Sequence, residues 1–370
     1  MAARSTPAAG TCAAGAAGAL LASLLLVAAE AAAAAPEPCR GHTSTLRCAA
    51  RGARVTVGVG VEAGDPEAEG VAAQEFDAIT TQGSTLWSVI HPERERWDFA
   101  GADRTVAWAQ RHGLAVTASH FVWDQILYRS TPAWVKEITD PRELRRAMRQ
   151  HLHTVSRRYG RRIRRWIVVN EPLQYLGDTS RVQENHFSRT LGPDWIARTF
   201  RIARRAAPHA QLWLNEIFVE TDPAKALALV ELARALVAKR VPIDGVGIQG
   251  HLFTALLQPT APDAVLLRQT MADLAALGLE VGLTEVDAPV LPDTPDALHE
   301  QARRLRETVG ACLAVRRCRS ITFWDLHDGV SWLNGLFGRS DLSPTLFDAE
   351  LRPKPAFFAV RDALAGVPRR

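Results

Sequence analysis

Two glutamates stand where short apolar runs stop. Trp166, Ile167, Val168 and Val169 lead into Asn170-Glu171, with Pro172 next. A run of β-branched residues bounded in this way reads as a buried strand of a parallel sheet, with the carboxylate at its C-terminal end. Much further along, Glu280 to Leu283 closes in the same manner on Thr284-Glu285-Val286-Asp287. Strand-terminal glutamates so distant in sequence converge only where the sheet curls round on itself. Convergent carboxyls suit glycoside hydrolysis, which places two of them about the scissile bond. Singly, each has a plainer reading: Glu171 as a carboxylate at a helix N-terminus, and Glu285 and Asp287 as partners of arginines.

The elements that must position these groups follow from the pattern of the chain. Apolar runs lie at 55–61, 76–80, 115–121, 165–171, 211–216, 246–251, 281–287 and 321–326. Amphipathic stretches separate them, with helices predicted over 101–112, 194–206, 221–239, 261–277 and 295–315; Gly113 and Pro208 supply stops. Eight strand–helix alternations predict an α/β fold, a (β/α)8 TIM barrel in a single domain spanning 55–370, with catalytic groups at the C-terminal ends of its strands. The alternative is an open doubly wound sheet, but Gly58 and Gly60 lack the rest of the glycine-rich fingerprint that such a sheet carries after its first strand. No internal repeat or linker to a second module is visible, and the proline-bearing tail (344–368) reads as the closing helix region.

The 370 residues are 47% hydrophobic and 23% charged, which is ordinary for a globular domain. Residues 1–35 read as a signal peptide: Arg4 precedes the apolar stretch 19–29, which is too short to span a bilayer comfortably, and small residues follow at 31–35. A secreted protein, extracellular or periplasmic, with no stable membrane association once the signal is removed, is expected. Residues 36–54 form a cysteine-bearing lead-in. Beyond Cys12, which leaves with the signal, Cys39, Cys48, Cys312 and Cys318 remain. Three connectivities are open; local loops favour Cys39 with Cys48 and Cys312 with Cys318. No Cys-x-x-Cys occurs, and neither metal nor cofactor is called for. Net charge is +4, with arginine clusters at 145–146, 157–158, 161–165 and 204–205. They read as solvated faces of the outer helices, with only a weak pull toward an acidic polysaccharide; no nucleic-acid motif accompanies them.

Taken together in order and spacing, several segments resemble glycoside hydrolase family 10, the endo-β-1,4-xylanases. They are 87–103 (WSVIHPERERWDFAGAD), 166–171, 192–196 with 200–203, 214–216, 244–251, 284–287, Thr322-Phe323-Trp324 with Asp328, Ser331 and Trp332, and the closing 347–348 and 353–356. The likeness runs from about residue 55 to the C-terminus, and Cys312 and Cys318 sit where many members carry a disulfide. The resemblance implies a retaining, double-displacement endo-hydrolase of xylan, with Glu171 as acid/base and Glu285 as nucleophile. It further implies Asn170 on the sugar 2-hydroxyl, His251 oriented by Asp287 against Glu285, and Trp123, Trp324, Trp332, His120 and Gln249 at the substrate. A monomer acting on a polysaccharide partner is expected. Related readings are another β-glycanase or an exo-glycosidase, or, in a different class, a carbohydrate-binding barrel with little turnover.

The sequence departs from the family in two places. An acid, an asparagine and a lysine that hold sugar on the non-reducing side align with Gln82, Gly83 and Leu86. The family's Gly-His before the third apolar run is replaced by Ala118-Ser119-His120, so His120 is either that histidine shifted by one or an unrelated neighbour. A shift of one residue in a strand reverses side-chain direction.

Overall fold

A computed structural model of the protein describes residue 39 and residues 44–367, apart from 126, 128, 254–261 and 292. All of these fall in one compact unit, residues 35–370. The expected signal peptide, with Cys12, lies outside the described residues.

Eight parallel strands close into a barrel in sequence order. They are β1 Thr56–Gly60, β2 Ala78–Thr80, β3 Ala115–Ala118, β4 Ile163–Asn170, β5 Gln211–Glu216, β6 Gly245–Ile248, β7 Glu280–Val286 and β8 Cys318–Phe323. Each coincides with a predicted apolar run. Several runs continue past the last barrel hydrogen bond: 119–121, 249–251 and 324–326 lie beyond the strand ends, and these overhangs carry much of the site. β1 pairs with β8 as well as with β2, which completes the closure.

A helix follows every strand: Pro66–Glu75, Ala100–Arg111, Pro141–Tyr159, Trp195–Ala206, Pro223–Ala238, Ala264–Ala276, Pro295–Leu313 and Pro355–Ala365. Several begin by one local rule. Asp65, Asp140, Asp222 and Thr294 each accept a hydrogen bond from backbone N–H groups of the first turn, and a proline stands immediately after each of them. The cap satisfies an otherwise orphaned donor, and proline has no N–H to orphan while its φ is already helical. Within the lead-in, Leu46–Ala53 is a helix capped by Thr45 and packed on Pro355–Ala365. Its Leu46 is fully buried, and the Leu46 N–H donates to the buried Glu75.

Cys39 bonds Cys48 and Cys312 bonds Cys318, with Cα–Cα distances of 5.4 and 5.6 Å. The first ties the entry of the chain to the Leu46–Ala53 helix, and the second ties the helix Pro295–Leu313 to the start of β8. The arginine clusters at 145–146, 157–158 and 204–205 lie on helices, as expected, whereas Arg164 and Arg165 belong to β4, at the N-terminal end of the barrel.

Candidate active site

Glu171 follows the last residue of β4 with φ at 50°, in the left-handed region that bulky side chains rarely adopt. Its N–H donates to the carbonyl of Asn215 at 2.9 Å, which fixes the turn. The carboxylate is buried. Oε2 accepts from Trp123 Nε1 at 2.8 Å and from the Tyr175 hydroxyl; Oε1 accepts from Gln249 Nε2 at 2.8 Å. Burial, then the adjacent Glu171 charge, pushes the Tyr175 hydroxyl well above its ordinary pKa, so it stays a donor.

Glu285 lies near the end of β7. Oε1 accepts from Asn215 Nδ2 at 2.6 Å, and Oε2 is 3.4 Å from His251 Nε2. Burial alone favours the neutral acid, yet the His120 and His251 rings facing it override burial and hold Glu285 at about 2. His251 Nδ1 is 2.8 Å from Asp287 Oδ2, which also accepts from Trp332 Nε1 at 2.8 Å. Burial depresses the imidazole, but Asp287 and Glu285 more than compensate and raise it to about 10. Across neutral pH this is an imidazolium held between Asp287 and Glu285.

The two glutamates are joined through side chains. Glu171 Oε1 receives Gln249 Nε2, which lies 3.4 Å from Asn170 Oδ1; that oxygen accepts from Asn215 Nδ2 at 2.8 Å, and the same Nδ2 reaches Glu285. Thr284 Oγ1 donates to Asn215 Oδ1 at 2.6 Å and so fixes the amide's orientation. Asn170 Nδ2, Gln249 Oε1 and both ring nitrogens of His120 are buried without a hydrogen-bond partner among the described residues. His120 Nε2 sits 3.9 Å from Glu285 Oε1, and its ring lies 5.1 Å from that of Trp123. His120 therefore faces the site, while the Ser119 hydroxyl donates to the Thr81 carbonyl.

Asn215 and Tyr175 were not among the expected site residues. Asn215 ends a run of the same form as the one at Asn170-Glu171, and that likeness was the available signal. Nothing in the sequence marks Tyr175. Behind them lie Lys225 and Glu216, both fully buried: Lys225 Nζ is 3.1 Å from Glu216 Oε1 and donates to the Gln174 carbonyl, while Glu216 Oε2 accepts the Leu173 N–H at 2.9 Å. These bonds pin the segment that follows Glu171.

Trp324 is mostly buried and lies over β1, where Gly60 leaves room for it: a Cβ there would come within 2.8 Å of the indole. Asp325, next in the chain, accepts from the Trp332 N–H at 2.7 Å and from the Gln82 side-chain amide. The loop 82–84 is organised by Glu62, whose Oε1 accepts the N–H groups of Gln82, Gly83 and Ser84 at 2.9 Å each. Gly83 faces open space, whereas Leu86 is buried and presents no apolar surface to the groove. Among the described residues no group of three or more His, Cys, Asp or Glu side chains could hold a metal ion.

The family model for glycosyl hydrolase family 10 matches residues 46–363. An endo-1,4-beta-xylanase of Agaricus bisporus is 33% identical over 291 residues, covering 78% of this chain and 83% of the relative. Endo-1,4-beta-xylanase B of Thermotoga neapolitana is 30% identical over 323 residues, covering 84% and 89%. The crystal structure of native xylanase 10B from Thermotoga maritima superposes with a TM-score of 0.78 at 28% identity, covering 86% of this chain and 98% of that one. With the matched model spanning most of the chain and carboxylates converging at the C-terminal mouth of the barrel, this chain belongs to glycosyl hydrolase family 10.

Proposed function

We propose that the protein is a retaining endo-β-1,4-xylanase in which Glu171 is the acid/base and Glu285 the nucleophile. The observation that carries this is the amide chain from Glu171 through Gln249, Asn170 and Asn215 to Glu285, which supports both carboxylates at one barrel mouth. Retention requires them about 5–5.5 Å apart, close enough for direct attack on the anomeric carbon.

The two environments divide the labour. Glu285, held ionised by His251, Asn215 and the facing His120, forms the glycosyl ester. Asp287 and Trp332 keep His251 in place. Glu171 delivers its proton to the leaving oxygen and then takes one from water. Asn170 Nδ2, buried with no hydrogen-bond partner among the described residues, is the donor for the sugar 2-hydroxyl, a bond that strengthens in the oxocarbenium-like transition state. Gln249 Oε1 and the His120 ring are further polar contacts for the sugar, between walls formed by Trp123, Trp324 and Trp332. The substrate is a polysaccharide, xylan first; the protein acts as a monomer, exported after removal of residues 1–35, where its disulfides are stable.

The test is a 2-fluoro xylobioside with an activated leaving group. A covalent adduct is expected, mapped by peptide mass to Glu285, with products of retained configuration. Attachment elsewhere or inverted products defeats the assignment. Glu171→Ala should abolish xylan turnover yet still glycosylate from an activated aryl glycoside, with azide accelerating release; equal loss on both substrates contradicts the acid/base role.

A further inference from the structure

The opposite end of the barrel from the two glutamates holds a cavity of about 640 Å³. Arg54, Arg161, Arg164, Arg165, Arg319 and His209 line it, on segments at the N-terminal ends of β1, β4, β5 and β8. One carboxylate, Glu280, also lines it, and that group already accepts from Gln211 Nε2 at 2.8 Å. Among the described residues Arg161, Arg164, Arg165 and Arg319 form no ion pair within 4.0 Å. Arg164 is exposed, and Arg161 reaches only His209 Nδ1 at 3.4 Å.

Arg165 is the built part of this floor. Its Nη1 donates to Ser320 Oγ at 2.8 Å, its Nε and Nη2 to Gln211 Oε1 at 3.2 and 3.1 Å, and its guanidinium lies 3.8 Å over the Trp213 ring. A half-buried guanidinium with no carboxylate within ion-pair distance is costly. Burial lowers its pKa to about 10 even with Glu280 opposing the shift. An anion in the cavity would relieve that cost. The remaining floor carries hydroxyls, from Thr56, Thr117 and Thr322. Hydroxyls below and planar guanidinium forks at the rim match a sugar that bears a carboxylate, since the fork accepts a carboxylate bidentately and hydroxyls pair with ring hydroxyls. The volume is that of an ordinary small-ligand site.

We infer that this N-terminal cavity is a second carbohydrate site, which binds uronate residues of an acidic polysaccharide away from the face that cleaves glycosidic bonds. It anchors the enzyme to acidic glycan and leaves the C-terminal mouth free to work on neighbouring chains.

The test is calorimetric titration of the mature protein with trigalacturonate at low ionic strength, beside xylotriose and inorganic phosphate. Saturable binding of trigalacturonate is expected, weakened by added salt as exposed charge pairs are screened. Arg164→Glu with Arg319→Glu should weaken it by about tenfold or more, the scale of one lost charge-assisted hydrogen bond. Hydrolysis of an aryl xylobioside should be unchanged in that variant and uninhibited by trigalacturonate. Where charge reversal prevents folding, Arg164→Gln with Arg319→Gln serves, and retained hydrolysis certifies its fold. Four results each overturn the assignment: no saturable binding by the wild type, binding unchanged in a folded variant, competitive inhibition of hydrolysis, or displacement by an equal concentration of inorganic phosphate.

Discussion

Asn215 and His251 do different work on the same carboxylate, and substitution separates them. Asn215 gives Glu285 a hydrogen bond while holding Asn170 with the same Nδ2 group. Asn215→Ala removes both; a hydrogen bond to a charged group is worth about 1.5–3 kcal/mol, so kcat/KM should fall by about 10- to 150-fold with little change in pH profile. His251 instead sets the charge balance. Once the imidazolium is gone, His120 alone of the two rings opposes burial, and the Glu285 pKa climbs from about 2. The acid limb of kcat/KM for an activated aryl xyloside should move up in His251→Ala; an unmoved limb would refute the electrostatic role of the imidazole. Glu171 and Glu285 were singled out in the sequence as carboxylates closing apolar runs, and Asn170 and His251 through the family resemblance. Asn215 closes an apolar run as Asn170 does, but the resemblance attached no role to it, and Tyr175 escaped because its loop path, pinned by Glu216 and Lys225, is a tertiary matter.

The eight strands were readable because each is a dense apolar run, and five helices because amphipathic stretches separate those runs; the helices Pro66–Glu75 and Pro141–Tyr159 were not singled out, although Asp65 and Asp140 each stand before a proline. What could not be read was where each strand's hydrogen bonds stop. That depends on the neighbours' register, which shifts between Val116 and Thr117 against β4. His120 is the clearest case, since its direction is set beyond the last paired residue of β3. Nor could the burial of Leu86 be read, and it changes what a substitution there tests: Leu86→Lys would bury an ammonium rather than restore a sugar contact. Gly83→Asn is the sound experiment, because a side chain there meets open space. It should improve cleavage of short xylo-oligosaccharides on the non-reducing side by the value of one added hydrogen bond, about three- to tenfold. No change would mean that groups other than loop 82–84 hold those sugars. Gly60→Ala probes the opposite limit: its methyl meets the body of the Trp324 ring, and overpacking of this kind costs about 1–3 kcal/mol. Displacement of that wall should raise KM as well as lower Tm; a KM matching the wild type would mean that Trp324 does not line the bound sugar.

At the scale of the whole molecule, the buried ionisable groups set how stability depends on pH. Glu216, Glu220 and Asp325 are all raised to about 7, in each case first by burial. In the folded state they therefore hold protons that the unfolded chain releases at its ordinary carboxylate pKa. From about pH 4 to 7 the native state binds more protons than the unfolded one, so their contribution to stability falls as pH rises. His251, raised to about 10, adds stability that is full below its ordinary 6.5 and lost as pH rises through 10. Glu285, lowered to about 2, acts the other way: its contribution is present above 4.5 and disappears as pH falls through 2. His91, His151 and His186, each lowered first by burial, oppose the carboxyls: the unfolded chain takes up protons that the folded rings refuse, so their contribution rises with pH toward 6.5. Thermal unfolding by calorimetry at constant ionic strength should show Tm falling from neutrality toward pH 10, where the other three rings no longer titrate and His251 gives up its proton. Glu220 isolates the cause. It is fully buried, and neither of its carboxyl oxygens has a hydrogen-bond partner among the described residues, so Glu220→Gln keeps the shape and removes the titration. That variant should lose part of the decline between pH 5 and 7 and gain Tm over the wild type at pH 7. A variant whose Tm runs parallel to that of the wild type across that interval would mean that the Glu220 carboxyl ionises without cost, and that water or local opening reaches a region the fold presents as closed.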